Sequence, residues 1–230
     1  MCVSNNTDGP PSAGERAGAS SAPTAGGWAH TKRYSAGMQI CAEEFDRANK
    51  IQVIVSGWAC ELRMLHDGRR QVFTFMLPGD IIDFPPPQSS GARSLVALTQ
   101  VVVASHPLQW ALGAGPATVA WLNGDPERRE ARRYNQAMRL GCMTTRERVV
   151  HLLLEFRDRL TRAGLVKGEA FKIPITQEVL ADALGLSVVH INRALRELRE
   201  KGLVVVKSGS ATVTDIAACI SLSGYQPEEL

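Results

Sequence analysis

A chain of 230 residues has room for two modest domains, or for one domain and a smaller module. Apolar residues make up 44 %, enough to bury real cores and to exclude a wholly disordered chain. The formal charge of +3 is only mildly basic, so any case for nucleic acid rests on local charge.

The longest apolar runs, such as residues 101–105, fall well short of the roughly 20 residues that span a bilayer. No basic start followed by an apolar run marks a secretory signal, so a cytoplasmic protein is expected. The five cysteines, Cys2, Cys41, Cys60, Cys142 and Cys219, are scattered and form no C-x-x-C pair. They read first as free, mostly buried thiols, with a redox sensor as the alternative.

In chain order, residues 1–27 are rich in Gly, Ser, Ala and Pro and hold almost no large apolar side chain. Ordering them costs entropy without burial to offset it, so a flexible tail is expected. From residue 28 to about 104 the pattern is β. Residues 51–55 are β-branched, and Trp58, Cys60, Leu62 and Met64 alternate with Ala59, Glu61 and Arg63. His66-Asp67-Gly68-Arg69 is a turn signal. Phe73, Phe75 and Leu77 alternate with Thr74 and Met76 in the returning strand, which Pro78-Gly79-Asp80 closes. Pro85-Pro86-Pro87 and Gln88-Ser89-Ser90-Gly91 form a loop, and residues 94–104 return to strand. Short strands with regular turns suggest a β-roll, barrel or sandwich.

Residues 106–163 read as helical. Asp125-Pro126-Glu127 is a start signal: an N-cap, a proline at the first helical position and an acid on the dipole. Ala131, Tyr134, Met138 and Gly141 then form a narrow stripe. It fits one partner helix, or equally packing onto its own domain. A second amphipathic segment covers residues 145–160, with Val149, Leu152, Leu153, Phe156 and Leu160 as its apolar face, and Lys167-Gly168 marks a loop after it.

The most informative stretch is residues 173–215. A short strand is expected to end at Ile175. Thr176 can cap a helix with Gln177 and Glu178 in its first turn and Leu180, Ala183 and Leu184 on its apolar side. Gly185 permits the positive φ that stops it, and Ser187 caps a second helix over residues 188–201. That is a helix-turn-helix. On a wheel of about 100° per residue, Leu195, Leu198 and Ala194 lie within about 60° of Ile191 and form a buried face. Opposite stand Val189, Arg193 and Arg196, flanked by Asn192 and Arg199 on one side and His190 and Glu197 on the other. Arg and Asn are the forked side chains that match base edges and phosphates. The plain alternative is a solvated face whose arginines pair with Glu197 and Glu200. Lys201 and Gly202 end the helix, and residues 203–206 and 211–214 read as a hairpin wing around Lys207-Ser208-Gly209-Ser210. The helix-turn-helix together with the wing points to DNA.

These residues resemble the Crp/Fnr family of bacterial transcription regulators. In the first half the resemblance lies in Ala36-Gly37, Ser56-Gly57, Asp67-Gly68-Arg69-Arg70-Gln71-Val72 and Leu77-Pro78-Gly79-Asp80. In the second it lies in Leu180-Ala181-Asp182-Ala183-Leu184-Gly185-Leu186-Ser187 and Val189-His190-Ile191-Asn192-Arg193, the latter similar to a branch common in rhizobia. After the tail at 1–27, the resemblance implies an α+β chain with three parts. They are an antiparallel β-roll of cyclic-nucleotide-binding type at 28–125, a dimerisation helix at 126–142 and a winged helix-turn-helix at 143–230. It assigns Ala131, Tyr134, Met138 and Gly141 to a homodimer seam, and RNA polymerase as a partner. It places Val188, Val189 and Asn192 at base-reading positions, Arg193 at a basic one, and Thr176, Gln177 and Ser187 at phosphates. His190, Arg196 and Lys207 complete the expected DNA-binding set, and Gly79, Asp80, Arg93 and Ser94 form the expected effector pocket.

The effector itself stays unknown. The family's cyclic-nucleotide binders carry Gly-Glu early in the phosphate cassette and Arg-Ser/Thr before its last strand. This chain has Gly79-Asp80, and its Arg93-Ser94 falls out of register when Ala97-Leu98-Thr99 is aligned, so cyclic-AMP dependence is not expected. Only Cys2 stands where the iron-sulfur branch has a cysteine cluster, so no cluster is expected. His30, His66, His106 and Cys60 are the candidate haem ligands, each reading first as an ordinary surface or core residue. No metal site is expected. No G-x-S-x-G, H-E-x-x-H, P-loop or dinucleotide fingerprint supports an enzyme. The rival reading is a ligand- or redox-sensing module whose C-terminal half mediates protein contacts.

Overall fold

The computed structural model describes residues 30–40, 50–82, 94–107, 126–166 and 168–227. The tail, Cys2, Cys41, the proline-rich loop, Arg93, residues 108–125 and Lys167 lie outside the described residues.

Among the described residues, seven antiparallel strands make two sheets in the first half. They are β1 (His30–Tyr34), β2 (Gln39–Ile40), β3 (Lys50–Ser56), β4 (Ala59–Met64), β5 (Arg70–Met76), β6 (Ser94–Ala97) and β7 (Val101–Pro107). One sheet has the order β1-β7-β3 and the other β2-β6-β4-β5. Residues 94–104 are therefore not one strand: β6 and β7 belong to different sheets. The chain is turned at 98–100 by Trp58. Its carbonyl accepts from the Leu98 and Thr99 amides (2.7 and 3.2 Å), and its amide donates to the Thr99 hydroxyl (2.9 Å). Gly57 makes the approach possible: its φ is +83°, and a Cβ there would stand 2.0 Å from the Gln100 carbonyl oxygen. β7 also runs on to Pro107, so residues 106 and 107 are strand rather than helix.

The alternation expected in the returning strand fails at one residue. Glu61 pairs with Thr74 but Leu62 pairs with Val72, so Phe73 is bulged out. Val72 and Phe75 are buried while Phe73 is 39 % exposed. Met64, 60 % exposed, lies beyond the core that buries Trp58, Cys60 and Leu62.

Five helices follow among the described residues: α1 (Pro126–Cys142), α2 (Thr145–Arg162), α3 (Gln177–Leu184), α4 (Val188–Glu200) and α5 (Ile216–Ser223). α2 starts in a capping box, with the Glu147 carboxylate accepting from the Thr144 amide (2.7 Å). Its five expected apolar residues are buried, but so are Val150, His151, Leu154, Glu155 and Arg159. It is enclosed on all sides because it packs on the β-roll through Phe156, edge-on to Trp58 and Phe75 (4.9 and 5.0 Å), and on α4 and α5 as well. One hydrophobic core therefore runs from the sheets into the C-terminal half. There a small sheet of order β8-β10-β9 forms from β8 (Ala170–Lys172), β9 (Val204–Lys207) and β10 (Ser210–Val213). β8 ends at Lys172, before the expected Ile175, although the Ile173 amide still donates to the Gly209 carbonyl (2.9 Å). Among the described residues no helix is long and apolar enough to cross a membrane.

Candidate nucleic-acid interface

The helix-turn-helix forms where its local chemistry puts it. The Thr176 hydroxyl accepts from the Val179 amide (3.3 Å) at the start of α3. Gly185, at φ +63°, ends that helix, and the Ser187 hydroxyl caps α4 by accepting from the His190 amide (3.3 Å). Ile191, Ala194 and Leu198 are buried beneath α4, with Leu195 half-buried. Its outer side presents Val189, His190, Asn192, Arg193, Arg196 and Arg199 to solvent. Arg193, Arg196 and Arg199 form no ion pair among the described residues, and Glu197 turns away from them to Arg146 of α2 (3.2 Å). The arginine face is thus not neutralised along its own helix.

Thr176, Gln177 and Ser187 are exposed at the two helix starts, where free backbone amides and the dipole suit phosphate. Val188, expected to read bases, is instead half-buried against the core. Lys207 is exposed at the end of β9, beside a two-residue turn in which Ser208 and Gly209 both have positive φ (50° and 69°). The wing strands begin one residue later and earlier than expected, at Val204 and Ser210.

The helix-turn-helix is seated on the first half by contacts that sequence reasoning did not foresee, although Arg70, Gln71 and Asp182 stand in the motifs of the family resemblance. Arg70 of β5 pairs with Asp182 of α3 (2.5 Å). The Ala183 carbonyl accepts from the side-chain amides of Gln136 (2.6 Å) and Gln71 (3.2 Å). The Leu184 carbonyl accepts from the Arg148 guanidinium (2.9 Å). These are carbonyls that a helix end leaves without partners, here satisfied by β5, α1 and α2. Residues this far apart in the chain carry no joint signal.

The expected effector region is differently occupied. Gly79, at φ +95°, donates its amide to the Ile54 carbonyl (2.8 Å). Asp80 is 2 % exposed, and its carboxylate accepts from the Leu77 amide (2.6 Å), from Arg132 of α1 (3.3 Å) and from Arg159 of α2. Arg159 also donates to the Phe75 carbonyl (2.7 Å) and to Glu155 (3.1 Å), which in turn pairs with Arg139. Burial pushes the Glu155 carboxyl up, but the Arg139, Arg159 and Arg132 guanidiniums outweigh it and hold it below its ordinary value. Asp80, expected to meet an effector, is committed to the protein's own arginines, and Ser94 opens β6.

Of the candidate haem ligands, His30 and His66 are exposed, His106 is buried in β7, and burial pushes the Cys60 thiol up to about 12. Burial likewise raises Cys219 to about 11, so neither buried thiol is a ready thiolate, while Cys142 is exposed at the end of α1. Among the described residues no group of His, Cys, Asp and Glu could hold a metal ion. α1 itself has two unlike sides. Arg132, Gln136 and Arg139 are buried, whereas Ala131, Tyr134 (66 % exposed), Met138 and Gly141 face out.

Residues 147–218 match the family model of a Crp-like helix-turn-helix domain. The chain is 30 % identical to the transcriptional activatory protein AadR of Rhodopseudomonas palustris, over 72 % of this chain and 70 % of that protein. It is 25 % identical to the nitrogen fixation regulation protein FixK of Bradyrhizobium diazoefficiens, over 83 % and 80 %. A CRP-like cAMP-activated global transcriptional regulator of Mycobacterium tuberculosis is 26 % identical, over 75 % and 79 %. In fold it is similar to FixK2 from Bradyrhizobium japonicum, with a TM-score of 0.63, 23 % identity and coverage of 84 % and 96 %. The unpaired arginine face, the wing and these likenesses agree: the chain belongs to the Crp/Fnr family of DNA-binding transcription regulators.

Proposed function

We propose that this regulator works as a homodimer on a palindromic operator, with the outer side of α4 in the major groove. The observation that carries the reading is the exposed row of Val189, Asn192, Arg193 and Arg196 on a helix fixed at its start by Ser187. Thr176, Gln177, Ser187, His190 and Lys207 lie around it and supply phosphate contacts, which set register without reading sequence. α1 supplies the seam through Ala131, Tyr134, Met138 and Gly141, and RNA polymerase is the downstream partner that the family suggests. Cyclic AMP does not gate the protein, because the carboxylate that would meet a ribose hydroxyl is held by Arg132 and Arg159. The test is binding of the full-length protein to sequences selected from a random duplex library, titrated with salt. A preferred palindrome whose affinity exceeds that of bulk DNA at every salt concentration supports the reading. Equal affinity for all duplexes would favour the rival, a module whose C-terminal half meets protein.

A further inference from the structure

The leading end of α4 carries an apolar side chain that folding does not use. Val189 is 68 % exposed, the most exposed large hydrophobic residue among those described. It stands one helical turn before Arg193, on the same side of the helix. A β-branched side chain in a helix is nearly fixed at χ1, so its two methyl groups are held in one place. The neighbouring His190 ring is drawn back to the cap, its Nδ1 lying 2.9 Å from the Ser187 hydroxyl. No acidic residue stands in the first turn of α4. No carboxylate therefore stands there to accept from the amino group of cytosine.

The N-terminal residues of a recognition helix meet base edges. The one apolar feature of those edges in the major groove is the C5 methyl of thymine. We infer that Val189 is a specificity residue that packs on a thymine methyl in each half-site. The start of α4 then selects an A·T pair where a carboxylate would select G·C. This rests on the DNA-reading role proposed for α4.

The experiment uses the full-length protein and the operator enriched from a random library. Each thymine is replaced in turn by deoxyuridine, which removes only the methyl group. The expected result is one thymine per half-site whose replacement weakens wild-type binding about fourfold, the effect of one buried methyl. In Val189→Ala that deoxyuridine effect disappears while the other positions keep theirs, and unchanged thermal unfolding verifies the fold. Val189→Glu should move library selection at that position toward cytosine. If no deoxyuridine weakens wild-type binding, or if wild type and Val189→Ala give the same profile, Val189 does not read thymine although α4 still reads DNA. If no sequence is enriched at all, the DNA-reading role of α4 fails as well.

Discussion

Asp80, Arg132, Arg139, Glu155 and Arg159 form one buried set of charges drawn from the turn after β5, from α1 and from α2. A buried ion pair is weak evidence of stability, but removing one partner leaves the other charge stranded. Asp80→Ala should therefore cost about 3–5 kcal/mol in chemical denaturation. A change under about 1 kcal/mol would mean water replaces the carboxylate without penalty. His151 adjoins this set. Burial first, and Arg139 next, lower its pKa to about 4 from the ordinary 6.5, with Glu155 opposing and the Tyr225 ring packed edge-on at 5.0 Å. Between those values the unfolded chain binds a proton that the folded chain does not. Stability should therefore fall as pH drops from 6.5 toward 4, and this contribution is constant above 6.5. Denaturant midpoints between pH 7 and pH 5 should decline less in His151→Gln than in the wild type. At the surface, Arg193→Ala should cost about 1–3 kcal/mol of operator binding and relax one position of the site. Lys207→Ala should weaken all sequences alike and reduce the salt slope. Unchanged affinity and preference in Arg193→Ala would remove that residue from the reading set.

At the scale of elements, α1 is the clearest case of a helix with two duties. Its buried side is polar, because Arg132, Gln136 and Arg139 reach acids and carbonyls on neighbouring elements. Its outward stripe is apolar, with Tyr134 and Met138 unburied in the single chain. A second copy covering that stripe would bury them, and Met138→Glu would then place an unpaired charge in the seam. The expected outcome is a lower dimer fraction by mass measurement and weaker operator binding together. An intact dimer in this variant would move the seam elsewhere. β5 shows the converse, where a bulge at Phe73 breaks a regular pattern and turns a large aromatic residue outward.

Across the whole molecule, the β-roll, α1 and the winged helix are joined by apolar and by polar contacts. Trp58 and Phe75 meet Phe156, while Arg70, Gln71 and Gln136 hold α3. The helix-turn-helix is thus seated directly on side chains of β5 and α1. Calorimetry with cyclic AMP and cyclic GMP should show no binding in the micromolar range, and neither should change operator affinity. Losing a bidentate phosphate contact and the ribose acceptor removes about 2–5 kcal/mol, enough to turn micromolar binding into millimolar. Micromolar binding that strengthens the operator complex would show that Asp80 can leave its arginines.

What the sequence determined alone is what depends on neighbours in the chain. Thr176, Gly185 and Ser187 set the helix-turn-helix because caps and positive-φ stops act within one turn of helix. Asp67-Gly68 set its turn in the same way, with Gly68 at φ +86°. α5 escaped notice because its residues, Ile-Ala-Ala-Cys-Ile-Ser-Leu-Ser, have no polar stripe to reveal a helical period. The tertiary structure decided everything that needs a distant partner. Hydrophobic periodicity reports that a face is buried but not how many surfaces meet it, so α2 read as one-sided although it is enclosed. The bulge at Phe73 depends on β4, and the break between β6 and β7 depends on Trp58. Asp80, expected in an effector pocket, is buried against Arg132 and Arg159, which arrive from helices far along the chain. A countercharge folded against a buried carboxylate competes with any ligand for it, and that pairing is set by residues remote in the chain.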